Sequence, residues 1–159
     1  MMTPPKTAIR RDADGTLRIG IIQSRFNDRI TDELRLGAMR QLNALGVTDD
    51  RVTIVSVPGA VEIPIAAQAL ACRGRHEAII ALGAVIRGDT THYDYVCSMV
   101  ADGCLRVSLD FDVPVVFGVL TCENEEQALA RIQPGTCHKG EEAAQVAVEM
   151  SCLLKDLKS

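Results

Sequence analysis

Between Gly83 and Val96 the chain reads GAVIRGDTTHYDYV, and most of its capacity for chemistry is concentrated there. An apolar run enters a turn at Gly88. Asp89, Thr90 and Thr91 follow, then His92, Tyr93 and Tyr95, in a protein with only three histidines and two tyrosines. A glycine turn that opens a helix leaves backbone N–H groups free and points the positive end of the helix outward. With two hydroxyls beside it, such a place suits a phosphate. The same Asp89 and threonines would serve equally well to cap a helix. An imidazole one turn from a bound anion could carry protons, or it could be a half-buried structural histidine. Tyr93 and Tyr95 suit packing at the start of their helix or a contact between subunits.

Other residues could complete a site. Glu62 follows a Pro-Gly turn and could accept hydrogen bonds from a polyol, or simply favour the start of a helix. Phe26 lies among polar neighbours, where its ring could stack on a flat heterocycle or fold back into the core. Arg131 and Lys139 flank the Pro134-Gly135 loop and could hold an anion or stay solvated.

The elements that must position these residues alternate between strand and helix. Apolar runs at 18–24, 52–57, 78–86 and 113–120 read as strands, and the third is apolar throughout, as in a strand covered on both faces. Helical periodicity covers 32–46, a stretch from Pro64 to Gly74, 91–109, 124–131 and 140–157. Strands separated by helices of this length predict right-handed crossovers, a parallel sheet and helices on both of its faces. Ligands of such sheets sit beyond the carboxyl ends of the strands. That rule brings together Arg25 to Asn27, Pro58 to Glu62, Val85 to His92 and Thr121 to Asn124.

At 159 residues the length suits one domain, and the 47% apolar content is ordinary for a globular protein. We expect a flexible arm over residues 1–16 and a single domain over 17–159. A net charge of −4, with no basic stripe along the sequence, argues against nucleic acid as a partner. No apolar run is long enough to cross a membrane. The first residues lack the apolar centre of a secretory signal. The six cysteines form no C-x-x-C pair, so the expectation is buried, reduced thiols in a cytoplasmic protein with no metal.

These segments together resemble the lumazine synthase family. The resemblance runs from about residue 17 to the end of the chain. It is carried by Arg25-Phe26-Asn27, Val57-Pro58-Gly59-Ala60 with Glu62-Ile63-Pro64, the GAVIRGDTTHYDYV block, Phe117 to Thr121, and Arg131 with Lys139-Gly140 eight residues on. It implies a flavodoxin-like three-layer αβα sandwich around a four-stranded parallel sheet. It also implies condensation of 5-amino-6-ribitylaminouracil with 3,4-dihydroxy-2-butanone 4-phosphate to 6,7-dimethyl-8-ribityllumazine, the penultimate step of riboflavin synthesis, without a cofactor.

By matching position, Phe26 would stack on the pyrimidine, Ala60, Val61 and Glu62 would hold the ribityl chain, and Ala84, Val85 and Ile86 would meet the ring. Asp89 and Thr90 would offer donors to the phosphate, Arg131 would clamp it, and His92 would move protons. Phe117 and Lys139 would come from a neighbouring subunit, which implies pentamers. The short loop before Lys139 favours a larger icosahedral shell, and riboflavin synthase is a candidate partner. Val61 stands where the family often has an aromatic residue, Ser56 where Trp is frequent, and GTCHKG where Ala-Gly-Asn commonly precedes the lysine. A flavin-binding relative without the reaction, a structural shell protein and the archaeal type of riboflavin synthase are the competing readings.

Overall fold

The computed structural model of the chain describes residues 9–135 and 137–159. Four strands, β1 (Ile19–Ser24), β2 (Val52–Val57), β3 (Ala78–Ile86) and β4 (Val115–Cys122), form one sheet in the order β2-β1-β3-β4. All pairings are parallel. Among the described residues there are five α-helices: α1 (Asp28–Ala44), α2 (Ile63–Cys72), α3 (His92–Phe111), α4 (Glu125–Ala130) and α5 (Lys139–Lys158). Among the described residues, no helix is long and apolar enough to cross a membrane.

Side chains of a strand alternate between faces, and here the alternation builds two cores. Ile19 and Ile21 of β1, with Ile80 and Leu82 of β3, meet Leu34, Ala38 and Leu42 of α1 and Ala144, Ala147 and Val148 of α5. Ile22, Ile79 and Ala81 point to the other side, against Ile63, Ala67 and Leu70 of α2 and Val100, Cys104 and Val107 of α3. The result is the expected three-layer α/β sandwich, flavodoxin-like in its strand order.

The bounds of β2 and β3 match the apolar runs. The first helix begins four residues earlier than its periodicity suggests. Asn27 adopts a left-handed conformation (φ 60°) and turns the chain directly out of β1, so that Ile30 and Thr31 join Leu34 as buried positions. Asn27 gives its side chain to the Ala84 carbonyl (2.8 Å) and not to a helix cap. Strand β4 begins later than expected, because Pro114 has no N–H for the ladder; its carbonyl instead accepts from Ile79 N. The cysteines depart from the expectation of buried thiols. Cys104 and Cys122 are buried, whereas Cys72 and Cys137 are exposed.

Residues 1–8 of the expected arm lie outside the described residues. Residues 9–16 run along the amino end of the sheet. Asp12 is buried there, accepts N–H bonds from Thr16 and Leu17 (both 3.1 Å), and faces Arg51 at 3.6 Å. Asp14 pairs with Lys155 of α5 at 3.0 Å.

Helices α1 and α5 cross at backbone contact. A Cβ at Gly140 would come within 2.1 Å of the Leu34 carbonyl oxygen, and one at Gly37 within 2.2 Å of the His138 ring. Helix propensity alone favours Gly140→Ala by about 1 kcal/mol. The clash is with main chain, which cannot rotate away, and overpacking of this kind costs up to about 3 kcal/mol. Gly140→Ala is therefore expected to lower the midpoint of urea unfolding, and an unchanged or raised midpoint would show that the crossing can relax.

Candidate active site

The order β2-β1-β3-β4 changes chain direction between β1 and β3, and a pocket opens beyond the carboxyl ends of the strands at that point. Its volume is about 400 Å³. Three loops line it. Phe26 follows β1, Gly59 to Val61 follow β2, and Ala84 to Ile86 lead out of β3 into Gly88, Thr90, His92, Tyr93 and Val96.

Each loop is held by main-chain bonds that continue the sheet. Arg25 N donates to the Val57 carbonyl (2.8 Å) and Phe26 N to the Pro58 carbonyl (3.1 Å), prolonging the β1–β2 pairing past its end. The Phe26 ring is consequently presented outward, 72% exposed, and does not fold back into the core. Ala60 to Glu62 form a 3₁₀ turn, tightened by the Glu62 carboxylate, which accepts the Gly59 N–H at 3.0 Å. Arg87 N donates to the Cys122 carbonyl (2.9 Å), so the start of the GDTTH turn is fixed to β4. Thr90 Oγ1 accepts the His92 N–H at 3.3 Å. His92 opens α3 as an exposed side chain on the pocket wall.

Tyr93, expected to pack the start of its helix or a subunit contact, packs against Arg87, to which sequence reading assigned no role. The Arg87 guanidinium lies over the Tyr93 ring, 4.3 Å from its centroid, while Nε bonds Glu123 (2.7 Å) and the two terminal nitrogens reach Asp94 (3.2 and 3.5 Å). Both hydrogen-bonded carboxylates raise the Arg87 pKa. Burial raises that of the Tyr93 hydroxyl. This cluster ties the first turn of α3 to the ends of β3 and β4, and so sets the direction of His92. The charges flanking the tyrosines, Arg87 and Asp94, were the available signal.

Of the residues singled out in sequence, the fold brings Phe26, Ala60, Val61, Ala84, Val85, Ile86, Thr90 and His92 around one pocket. Glu62, Asp89, Phe117, Arg131 and Lys139 do not line the pocket of their own chain. Phe117 is a partly exposed side chain on β4. Arg131 Nη1 donates to the Gln127 carbonyl (2.7 Å), and its carbonyl accepts from Lys139 N (2.9 Å), which closes the loop between α4 and α5. Its charge opposes the burial-driven rise in the pKa of Cys122, placing it near the carboxyl end of β4. Lys139 Nζ pairs with Glu142 at 2.8 Å.

The fold and the site define a class: a parallel α/β enzyme whose pocket combines an exposed aromatic ring, strand-end main chain and a histidine at the start of a helix. The 6,7-dimethyl-8-ribityllumazine synthase family matches residues 16–155. Curated relatives bearing that name include proteins from Salinibacter ruber (46% identical over 89% of this chain and 90% of the relative), Bdellovibrio bacteriovorus (50%, over 90% and 78%) and Burkholderia cenocepacia (51%, over 89% and 80%). The chain belongs to the 6,7-dimethyl-8-ribityllumazine synthase family. It is a transferase of riboflavin biosynthesis that condenses 5-amino-6-ribitylaminouracil with 3,4-dihydroxy-2-butanone 4-phosphate.

His138, just before Lys139, is a departure that the structure explains. Its ring is buried, and Nδ1 accepts the N–H groups of Gly140 (3.1 Å) and Glu141 (3.4 Å), capping α5. The proton must then sit on Nε2, which is enclosed without a partner. Burial holds the pKa of this histidine below its usual value. Arg40 on α1 adds to that effect, whereas Glu141 and Glu142 on α5 and Glu33 on α1 oppose it. A depressed folded pKa gives stability that is complete above the unfolded value of about 6.5 and is lost as pH falls toward the folded value. Urea midpoints should thus drop between pH 7.5 and pH 5, and His138→Asn should make that drop shallower. Equal slopes for the two proteins would remove His138 as a source of acid sensitivity.

Proposed function

We propose that the condensation runs in this pocket, with Phe26 stacked on the pyrimidine, Ala60, Val61 and Glu62 along the ribityl chain, and Ala84, Val85 and Ile86 against the ring. Asp89 and Thr90, at the start of α3, supply N–H or hydroxyl donors to the phosphate, Arg131 clamps it, and His92 moves protons. The observation that carries this reading is the meeting of Phe26, Ala60, Ile86, Thr90 and His92, from three separate segments, around one pocket at the switch point.

The uracil's amine adds to the ketone and loses water to give an imine. Phosphate then departs with its C–O electron pair, and the ribityl-bearing nitrogen closes the ring with loss of a second water. Each step transfers a proton, and an exposed imidazole on the pocket wall is suited to relay it. Holding two reactants side by side supplies most of the acceleration, and proton transfer adds about 10²-fold.

The reading includes assembly. The pocket wall of a single chain carries no arginine or lysine, although one substrate is a phosphate ester. Tyr95, Met99, Leu105 and Leu109 expose apolar groups along one side of α3, a stripe on the order of 120° wide. Burying that stripe against a second copy would bring in Phe117 and Lys139 from the neighbour, and with them Arg131, which does not line its own chain's pocket. The family resemblance implies that the working unit is a pentamer, and we adopt that reading. The short α4–α5 loop favours its closure into an icosahedral shell able to enclose riboflavin synthase. Its compartment is the cytoplasm, which keeps thiols such as Cys72 and Cys137 reduced.

Two measurements test the site. Lumazine formation followed by absorbance should exceed the protein-free control by orders of magnitude and fall about 10²-fold in His92→Ala. Equal rates for variant and wild type would remove the histidine from the mechanism. Arg131→Lys keeps the charge but loses the bidentate grip on phosphate. It should raise KM for the butanone phosphate about tenfold and leave KM for the uracil nearly unchanged, a difference of about 1.4 kcal/mol. Equal increases for both substrates would place Arg131 outside the phosphate site.

A further inference from the structure

At the opposite pole of the sheet a second cleft, of about 620 Å³, is lined by Thr16, Arg18, Arg51, Arg73, Arg75 and His76. Arg18 and Arg51 immediately precede β1 and β2, and Arg73 to His76 lead into β3. The parallel sheet thus gathers into one place basic residues spread over nearly sixty positions of sequence. The one carboxylate in the wall, Glu77, accepts the main-chain N–H of Arg18.

The charges of this cleft are poorly neutralised. Among the described residues, the guanidinium groups of Arg18, Arg73 and Arg75 have neither an ion pair nor a hydrogen bond. Arg51 Nη1 forms an ion pair with Asp12 Oδ2 at 3.6 Å, but it is enclosed and too far away for a hydrogen bond. His76 uses Nε2 with Thr53 Oγ1 at 3.0 Å and leaves Nδ1 enclosed without a partner. Burial first, and then the neighbouring Arg73, Arg18 and Arg75, lower the pKa of His76, against the opposing charge of Glu77.

Like charges gathered this way repel unless an anion lies among them. Planar guanidinium forks recognise phosphate oxygens in pairs. Four of them exceed what a single phosphate requires, and the volume is that of a small-ligand pocket. The protein as a whole is acidic at −4, so the cluster is a local feature and not part of a broad basic field suited to a nucleic-acid polymer. We propose that this cleft binds a small molecule carrying a pyrophosphate group, gripped by Arg18, Arg51, Arg73 and Arg75. The site is separate from the synthase pocket and does not depend on the roles assigned there.

The probe is inorganic pyrophosphate, added to the intact protein and followed by calorimetry and by the imidazole resonances of His76. Binding should raise the His76 pKa, because an anion offsets the surrounding arginines. The double variant Arg73→Ser, Arg75→Ser alters two exposed side chains that hold nothing in the fold. It should weaken this binding by at least about tenfold, as expected for the loss of two charge-assisted contacts, and leave lumazine formation at the wild-type rate. Arg131→Ala should keep the His76 response, which separates this site from phosphate held in the active site. Binding curves that superimpose for wild type and double variant would overturn the proposal, as would a His76 signal indifferent to about 10 mM pyrophosphate, the range of weak, non-specific affinity. An equal response to chloride at matched ionic strength would reduce it to adventitious ion binding.

Discussion

Strand β3 has almost no solvent face. It pairs with β1 on one edge and β4 on the other, and helices cover both of its sides. Ala78 to Ala84 are all buried, so every side chain must be apolar and sized to the gap it fills. Gly83 marks the tightest point, where a Cβ would sit 3.0 Å from Ser24 Oγ. Because this strand cannot shift without disturbing both cores, its last residues are delivered to a fixed place. Ala84 accepts the Asn27 side chain there, Ile86 pairs with Cys122, and Arg87 begins the turn that starts α3. Pocket floor and helix start are therefore set by the same rigid segment.

The two poles of the sheet differ in what they do with charge. At the carboxyl pole, Arg87 is paired with Glu123 and Asp94, Lys139 with Glu142, and Arg131 holds a helix-end carbonyl. The pocket wall between them is mostly apolar, with His92 its only imidazole. At the amino pole, arginines crowd a cleft with little to offset them. A parallel sheet explains why both poles are possible at once: every strand begins at one end and leaves at the other, so residues far apart in sequence collect by polarity alone.

The continuous apolar runs made β2 and β3 legible to the residue, and the strand-end rule brought three of its four segments to the pocket, whereas Thr121 to Asn124 do not line it. What escaped sequence reading was conformational or long-range. The early start of α1 depends on Asn27 taking a left-handed conformation that its residue type permits but does not demand. The Glu62 carboxylate is engaged by the Gly59 N–H, one of two readings that sequence left open. His138 reads as a polar loop residue, yet it is buried as a helix cap because Gly37 leaves room for its ring. The arginine cleft was invisible as a stripe, since Arg18, Arg51, Arg73 and Arg75 become neighbours only through strand order. Arg131 does not line its own chain's pocket either, whereas the family resemblance implies a neighbouring subunit only for Phe117 and Lys139.

Helix α5 begins near the loop that joins it to Arg131 and runs the height of the molecule. Its last residues, Lys155, Lys158 and Ser159, lie beside Thr16, Gly74 and Phe111 at the amino pole. A domain or label fused after Ser159 would consequently emerge at the end of the subunit away from the catalytic pocket, with the length of the sheet between the two. That separation makes Ser159 a natural attachment point for cargo, since what is hung there is kept clear of the pocket at the other pole.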